Sequence, residues 1–429
     1  MKYLIKNGRV IDPLQKIDGV SDILVSGGKI EKLEKGLSDK ADMVIDAKGR
    51  IVAPGFVDMH VHLREPGRED KETVASGTRA AVRGGFTTVA CMPNTEPAID
   101  SPEAVRRLRV IIKKDALCNI TPVGAITAGR AGKKLADFGG MKKEGVAALS
   151  DDGSSVEDAS LMAQALKSAA EEALLIIEHC EDAAISAGGV MNSGFISTKM
   201  GLRGIPREAE YERVKRDIEL ARKAGGRIHI AHVSCAESVE LIRKAKKSGT
   251  AVTADTAPHY FSLTEDCCAT YDTNTKMNPP LRTKDDVEAV KKGLADGTID
   301  VIATDHAPHT DAEKDVEFDF APFGIIGLET ALSLGIMELV EKNVLSWPEL
   351  IARMSSNPAA ILNTGGGTLK KGVSADVVVI DPAMTYVYTK DSVESNSKNS
   401  PFIGWQLKGR ATHVFVGGRL VMENGSVIT

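Results

Sequence analysis

The sequence predicts an α/β chain folded as a (β/α)₈ barrel of the TIM type, with a small composite β-sandwich domain assembled from its two ends. Three observations carry this expectation. Between about residue 51 and residue 310, eight short apolar runs rich in β-branched residues alternate with helical patterns; both ends read instead as short strands cut by glycine and aspartate turns; and histidines and aspartates recur where the apolar runs end. With 429 residues the chain exceeds one average domain. The boundaries it suggests are 51–364 for the barrel and 1–50 with 365–429 for the composite domain.

Taken in order, residues 3–10, 22–25, 29–33 and 43–46 read as N-terminal strands. The eight barrel strands are expected at 56–63, 87–92, 118–125, 146–150, 174–179, 227–233, 251–256 and 300–304. Helical patterns separate them, for example 73–83 before Gly84-Gly85, 208–224 before Gly225-Gly226 and 234–247 before Gly249. An open doubly wound sheet is the alternative, but no glycine-rich dinucleotide fingerprint follows the first strand. Residues 376–380, 412–416 and 419–423 read as C-terminal strands. Neither end alone has enough strands to bury a stable core, whereas together they can close a sandwich.

Composition narrows the function classes. A hydrophobic share of 42% and a charged share of 26% are those of a globular protein. The net charge of −5 and the lack of a wide basic stripe argue against nucleic-acid binding; Arg243, Lys244, Lys246 and Lys247 read as a solvated helix face. No window approaches the roughly 20 apolar residues of a membrane span, and no secretory leader is evident, so a cytoplasmic protein is expected. The six cysteines, Cys91, Cys118, Cys180, Cys235, Cys267 and Cys268, lack the spacing of a zinc knuckle or redox pair and read as free thiols.

The chemistry sits in the histidines and acids. His60 and His62 are two apart on the first strand, so a strict period of two aims both imidazoles to one side, with Asp58 and Arg64 sharing their parity. Four inward polar positions in a row are costly to bury unless a metal or ligand satisfies them. Asp151-Asp152 closes the fourth strand, His179 the fifth, His232 the sixth and Asp305 the eighth, and in a barrel these ends meet at one mouth. Imidazole with carboxylate oxygen suits Zn²⁺ or a similar ion. Such an ion lowers the pKa of bound water toward about 7, which points to hydrolysis of an amide or related bond. His229 has the opposite parity to His232 and is expected to face the helices in a structural role. His259 is a candidate support for the site, His306 a support for Asp305, and His413 a bystander. His309 lies in a loop over the mouth, and residues 311–321, acidic and short of aliphatic anchors, read as a mobile stretch beside it.

Three segments then carry a resemblance: His60-Val61-His62-Leu63-Arg64-Glu65-Pro66-Gly67, Met92-Pro93-Asn94-Thr95 and Ala303-Thr304-Asp305-His306-Ala307-Pro308-His309. Together with Lys314, Phe323-Gly324 and Gly327-Leu328-Glu329-Thr330, they make the chain resemble the bacterial-type dihydroorotases of the amidohydrolase superfamily over nearly its whole length. The resemblance implies reversible cyclisation of N-carbamoyl-L-aspartate to L-dihydroorotate, a step of pyrimidine synthesis. It implies His60, His62, Asp152, His179, His232 and Asp305 as ligands of zinc, two ions with Asp152 bridging or one as the alternative. Asp305 is implied as the proton carrier. Arg64, Asn94, Asn278, His309 and the backbone at Phe323-Gly324 are implied to hold the substrate, with Arg64 suited to its carboxylate; the alternative for Arg64 is an ion pair with Glu65 or Asp70. Many relatives bridge their metals with a carboxylated lysine where this chain has Asp151-Asp152, and parity does not say which aspartate takes that place. A homodimer is expected, and an association with aspartate transcarbamoylase is left open. The competing readings are a hydantoinase or allantoinase, and an inactive subunit of a transcarbamoylase complex.

Overall fold

The structure is a computed structural model, and it describes residues 1–428. Eight parallel strands follow one another around a barrel in chain order: Phe56–Val61, Phe86–Cys91, Asn119–Gly124, Ala148–Leu149, Leu175–Glu178, Ile228–Ile230, Val252–Thr256 and Val301–Ile302. The last returns to the first through a parallel bridge between Val61 and His306 and a hydrogen bond from the His62 amide to the His306 carbonyl at 2.9 Å. Each strand falls within its expected run or within one residue of it. Several are shorter, because the regular ladder stops where the chain turns to build the mouth.

Alternation along these strands produces two apolar layers. Val57, Met59, Ala90, Val123, Leu175, Ile177, Ala231 and Val301 fill the barrel interior. Phe56, Val89, Ile176, Ile228, Ile230 and Ala254 face the surrounding helices. Each fully buried Ile, Leu or Phe here stabilises the fold by about 1.5–3 kcal/mol. The helix Val74–Gly84 shows how local sequence sets an element. Thr73 caps it with a reciprocal capping box to Ser76, and Gly85 ends it at φ 92°. A Cβ at Gly85 would meet the Phe56 ring at 3.1 Å, so the left-handed turn and the close approach both require glycine. Helices Glu208–Ala224 and Ala236–Lys247 bury Val214, Ile218 and Ala221, and Val239 and Ile242, against the same strands.

The two chain ends join in a single nine-stranded sheet. Lys2–Asp12 pairs with Ile17–Ser26 on one side and with Met43–Asp46 and Ile51–Pro54 on the other. Ile51–Pro54 then pairs with Val377–Val387, and Gln406–Val416 and Arg419–Glu423 continue the sheet. Tyr3 and Phe415 belong to strands three places apart, about 14 Å in a flat sheet, yet their ring centroids lie 5.1 Å apart. The sheet therefore curls back over a core of its own, including Ile5, Val10, Ile23, Val52, Val377 and Val379. Only Gly55 separates the sheet strand Ile51–Pro54 from the first barrel strand.

Two parity expectations fail. The first strand changes register against the second between Phe56 and Val57 and again between Asp58 and Val61, so Asp58, His60, His62 and Arg64 are not one inward row. Asp58 instead accepts the amides of His60 (3.0 Å) and Thr304 (3.1 Å). His229 does not face the helices: Ile228 and Ile230 do, while His229 lies inward, 2.8 Å from Asp255 Oδ2 and 2.8 Å from Thr253 Oγ1. His232 reaches the mouth out of step with His229 because it adopts φ 39°.

Candidate active site

At the C-terminal ends of the barrel strands, His60, His62, Asp152, His179, His232 and Asp305 converge, each 9% exposed or less. Asp152 lies at the centre. Its Oδ1 is 3.1 Å from His60 Nε2, 3.8 Å from His232 Nε2 and 3.9 Å from His179 Nδ1, and its Oδ2 is 3.4 Å from His62 Nε2. Asp305 Oδ1 is 3.2 Å from His62 Nε2 and 3.5 Å from His60 Nε2. Although burial pushes both carboxyls up, His60 and the neighbouring imidazoles hold them well below the usual carboxylate range. Two overlapping groups, His60–Asp152–His232 and His60–His62–Asp305, have ligand atoms within 4.8 Å of one another.

The fit to a metal is testable on buried atoms. His60 Nδ1 and Nε2, His232 Nδ1 and Asp152 Oδ1 are buried with no aligned hydrogen bond, although several approach one another closely. Buried polar groups left in this way are costly, and a cation among them would satisfy His60 Nε2 and Asp152 Oδ1 together. The donor set, imidazole nitrogen with carboxylate oxygen, is that of a zinc-type ion. The adjacent aspartates separate cleanly: Asp151 turns away, accepting the Ile126 and Thr127 amides at 2.9 and 3.0 Å and the Thr127 hydroxyl. Lys142 and Lys143 lie on the helix Phe138–Lys143, exposed and away from the cluster.

A cavity of about 220 Å³ opens above the cluster, lined by His62, Asp152, His179, His232 and Asp305 and by Arg64, Asn94, Asn278, His309, Phe323 and Gly324. Arg64 is held at φ 58°. Its Nε donates to the Pro308 carbonyl at 3.2 Å, and among the described residues no carboxylate pairs with it: Asp70 is bound by Arg68, and Glu65 accepts the Val74 amide. Burial pulls this guanidinium down to about 10, as expected of a cation with no anion in contact. Asn94 supports the cluster, its Oδ1 2.8 Å from His62 Nδ1. His309 is kept neutral, pulled down to about 2 by burial and then by Arg64, Lys314 and Lys71. Lys71 Nζ lies 3.3 Å from its Nδ1, and a lysine only donates, so Nε2 carries the hydrogen and donates to the Phe323 carbonyl at 2.8 Å.

Glu181 was not foreseen. Its Oε2 lies 3.0 Å from His179 Nε2 and accepts Asn278 Nδ2 at 2.7 Å, joining a cluster histidine to a cavity-lining amide. Its position two residues past His179, at a strand end, was the available signal. His306 meets buried Glu72 at 3.2 Å. His259 lies buried beside the Tyr260 ring with its Nε2 unpartnered, and His413 is buried in the terminal sheet.

A closed parallel barrel with a histidine–aspartate cluster at its C-terminal mouth defines a hydrolase of the metal-dependent amidohydrolase class. The model of the dihydro-orotase-like family matches residues 49–238. The chain is 54% identical over 427 residues to the dihydroorotase of Elusimicrobium minutum, covering 100% of this chain and 99% of that one. It is 52% identical over 424 residues to the dihydroorotase of Geobacter metallireducens, covering 99% and 100%. Among solved structures, the L-hydantoinase (dihydropyrimidinase) of Arthrobacter aurescens matches with a TM-score of 0.89 at 25% identity, covering 100% of this chain and 97% of that one. The dihydropyrimidinase of Brevibacillus agri matches with a TM-score of 0.88 at 24% identity over 100% and 96%, a likeness of fold. The chain belongs to the dihydroorotase family, and it is a cyclic amide hydrolase.

Proposed function

We propose that the protein catalyses the reversible interconversion of N-carbamoyl-L-aspartate and L-dihydroorotate, the pyrimidine-forming step, with zinc that His60, His62, Asp152, His179, His232 and Asp305 would hold. The observation that carries the substrate is Arg64: a half-buried guanidinium with no acid partner, in the wall of a small cavity beside the cluster. Dihydroorotate brings the missing carboxylate, which a guanidinium meets with two parallel hydrogen bonds.

When bound, zinc lowers the pKa of water toward about 7 and polarises the scissile carbonyl. The remaining work falls to the chain. In ring opening, water oxygen bonds to the ring carbonyl carbon and the carbon–nitrogen bond breaks. Asp305 takes the water's proton and passes it to the departing nitrogen; cyclisation reverses both transfers. Its Oδ1 faces His60 and His62, which leaves Oδ2 as the proton-carrying atom. His309, neutral and fixed by Phe323, supports the substrate side of the cavity with Asn94, Asn278 and Gly324, while Arg64 sets the ring's orientation. A cytoplasmic homodimer is the proposed form, and co-elution with an aspartate transcarbamoylase tests for an association.

The deciding experiment is turnover of L-dihydroorotate by the zinc-loaded protein, followed in both directions, with hydantoin and allantoin as competitors. Efficient hydantoin opening with no action on dihydroorotate would overturn the assignment. Recovery of the protein free of metal after gentle purification, and without activity when zinc is supplied, would favour a non-catalytic subunit.

A further inference from the structure

We propose that Asn399, contributed by the segment between two strands of the terminal sheet, is a positioning residue for the substrate-facing wall of the mouth. Its side chain is 2% exposed. Its Oδ1 accepts the His309 amide at 3.0 Å, and its Nδ2 donates to the carbonyls of Ala307 and Gly324, each at 3.1 Å. Its own carbonyl accepts the Ile326 amide at 3.0 Å. One primary amide thus clamps the loop after the eighth barrel strand to the stretch that carries Phe323 and Gly324.

The geometry is specific to asparagine. The site needs one acceptor and two donors on a short planar group. Aspartate has the same shape but would turn an anionic oxygen toward two carbonyl oxygens, and alanine would leave three buried backbone groups unpaired. The same segment is stitched to the loop after the first strand: Ser395 donates to the Glu72 carboxylate, the Asn396 amide donates to Glu72 Oε1 at 3.1 Å, and Ser397 Oγ donates to the Lys71 carbonyl at 2.7 Å. The C-terminal region therefore registers the two loops that bear Arg64 and His309 against each other, without touching any member of the histidine–aspartate cluster through Asn399.

The role rests on the dihydroorotase reading, and the test separates the two. In the full-length zinc-loaded protein, Asn399→Asp and Asn399→Ala should each raise KM for L-dihydroorotate about tenfold or more, the cost of one to two lost hydrogen bonds. Bound zinc should be unchanged and kcat should move by less than about threefold. Asn399→Asp should be at least as impaired as Asn399→Ala; a role as volume filler predicts an aspartate variant like wild type, and that result overturns the proposal, as does an unchanged KM in both. Should neither variant fold, hydrogen exchange on the wild type decides. The His309 amide should be protected as strongly as the Ala307 amide, which the Ile325 carbonyl holds at 2.8 Å; exchange at the rate of an open loop overturns it. Wild type inert toward dihydroorotate would sink the dihydroorotase reading while leaving the exchange measurement to judge Asn399.

Discussion

Three residues in the mouth adopt backbone conformations that side chains avoid: Arg64 at φ 58°, His232 at φ 39° and Asp305 at φ 48°. Each such residue costs of order 1–3 kcal/mol and persists only where its surroundings impose it, which is consistent with side chains placed for chemistry. Asp305→Ala should lower kcat by about 10²–10⁴-fold in both directions while circular dichroism shows a native fold; appreciable turnover would remove the proton-carrier role. Arg64→Lys exchanges a planar fork for a point charge. The loss of one charge-assisted hydrogen bond, about 1.5–3 kcal/mol, should raise KM roughly tenfold to a hundredfold, and an unchanged KM would place the carboxylate elsewhere. Glu181→Gln keeps a partner for His179 and removes its charge. Zinc affinity, measured by competition with a chelator, should fall about 10–100-fold, and equal affinity would make Glu181 a bystander. At this scale the sequence was informative wherever a residue type is rare in a core. His60, His62, Asp152, His179, His232 and Asp305 were legible as acids and imidazoles at strand ends. Asn399 was not, because its partners lie some 75 to 92 positions away in sequence and no local pattern marks an asparagine that bonds only to backbone.

Among the elements, the barrel strands and helices were legible from periodicity, while the mouth segments were not. Residues 311–321 read as short of aliphatic anchors, yet they are held by buried Phe318 and by two buried lysines. Lys276 Nζ donates to the Phe318 and Asp319 carbonyls at 2.8 and 3.0 Å, and Lys314 Nζ to the Thr273 and Pro322 carbonyls at 3.1 and 2.8 Å. A lysine normally signals surface, so sequence patterning assigns it the wrong side. Burial, then Lys276, pulls Lys314 down to about 7 from 10.5. The folded state thus holds this proton less tightly than the unfolded chain. The lysine's contribution to stability is fully present above about 10.5 and is lost as pH falls through about 7. The stability difference between wild type and Lys314→Met, from urea unfolding, should therefore shift in favour of wild type as pH rises across this window. A flat difference would show that Lys314 titrates as it does in water. The parity errors at Asp58 and His229 have a related origin: a bulge and a left-handed residue each shift the inward count by one, and neither has a signature in residue type.

For the molecule as a whole, the clustered acids and imidazoles make metal part of the folded state's free energy. An ion that binds only the folded chain stabilises it by RT ln(1 + [L]/Kd), about 2.7 kcal/mol at a hundred times Kd. Chelation should accordingly lower Tm by about 2–4 °C or more for a chain of this size, and added zinc should restore it; a Tm indifferent to chelator would count against a tightly held ion. Among the described residues, no helix is long and apolar enough to cross a membrane.

The pairing of Ile51–Pro54 with Val377–Val387 bears on how the chain is made. During synthesis the N-terminal strands emerge first, but their neighbour in the sheet leaves the ribosome only after all eight barrel strands have been translated. Newly made chains must therefore carry an open, apolar strand edge through most of translation. Trapping by a chaperone should release the nascent protein only once residues beyond Val387 are exposed.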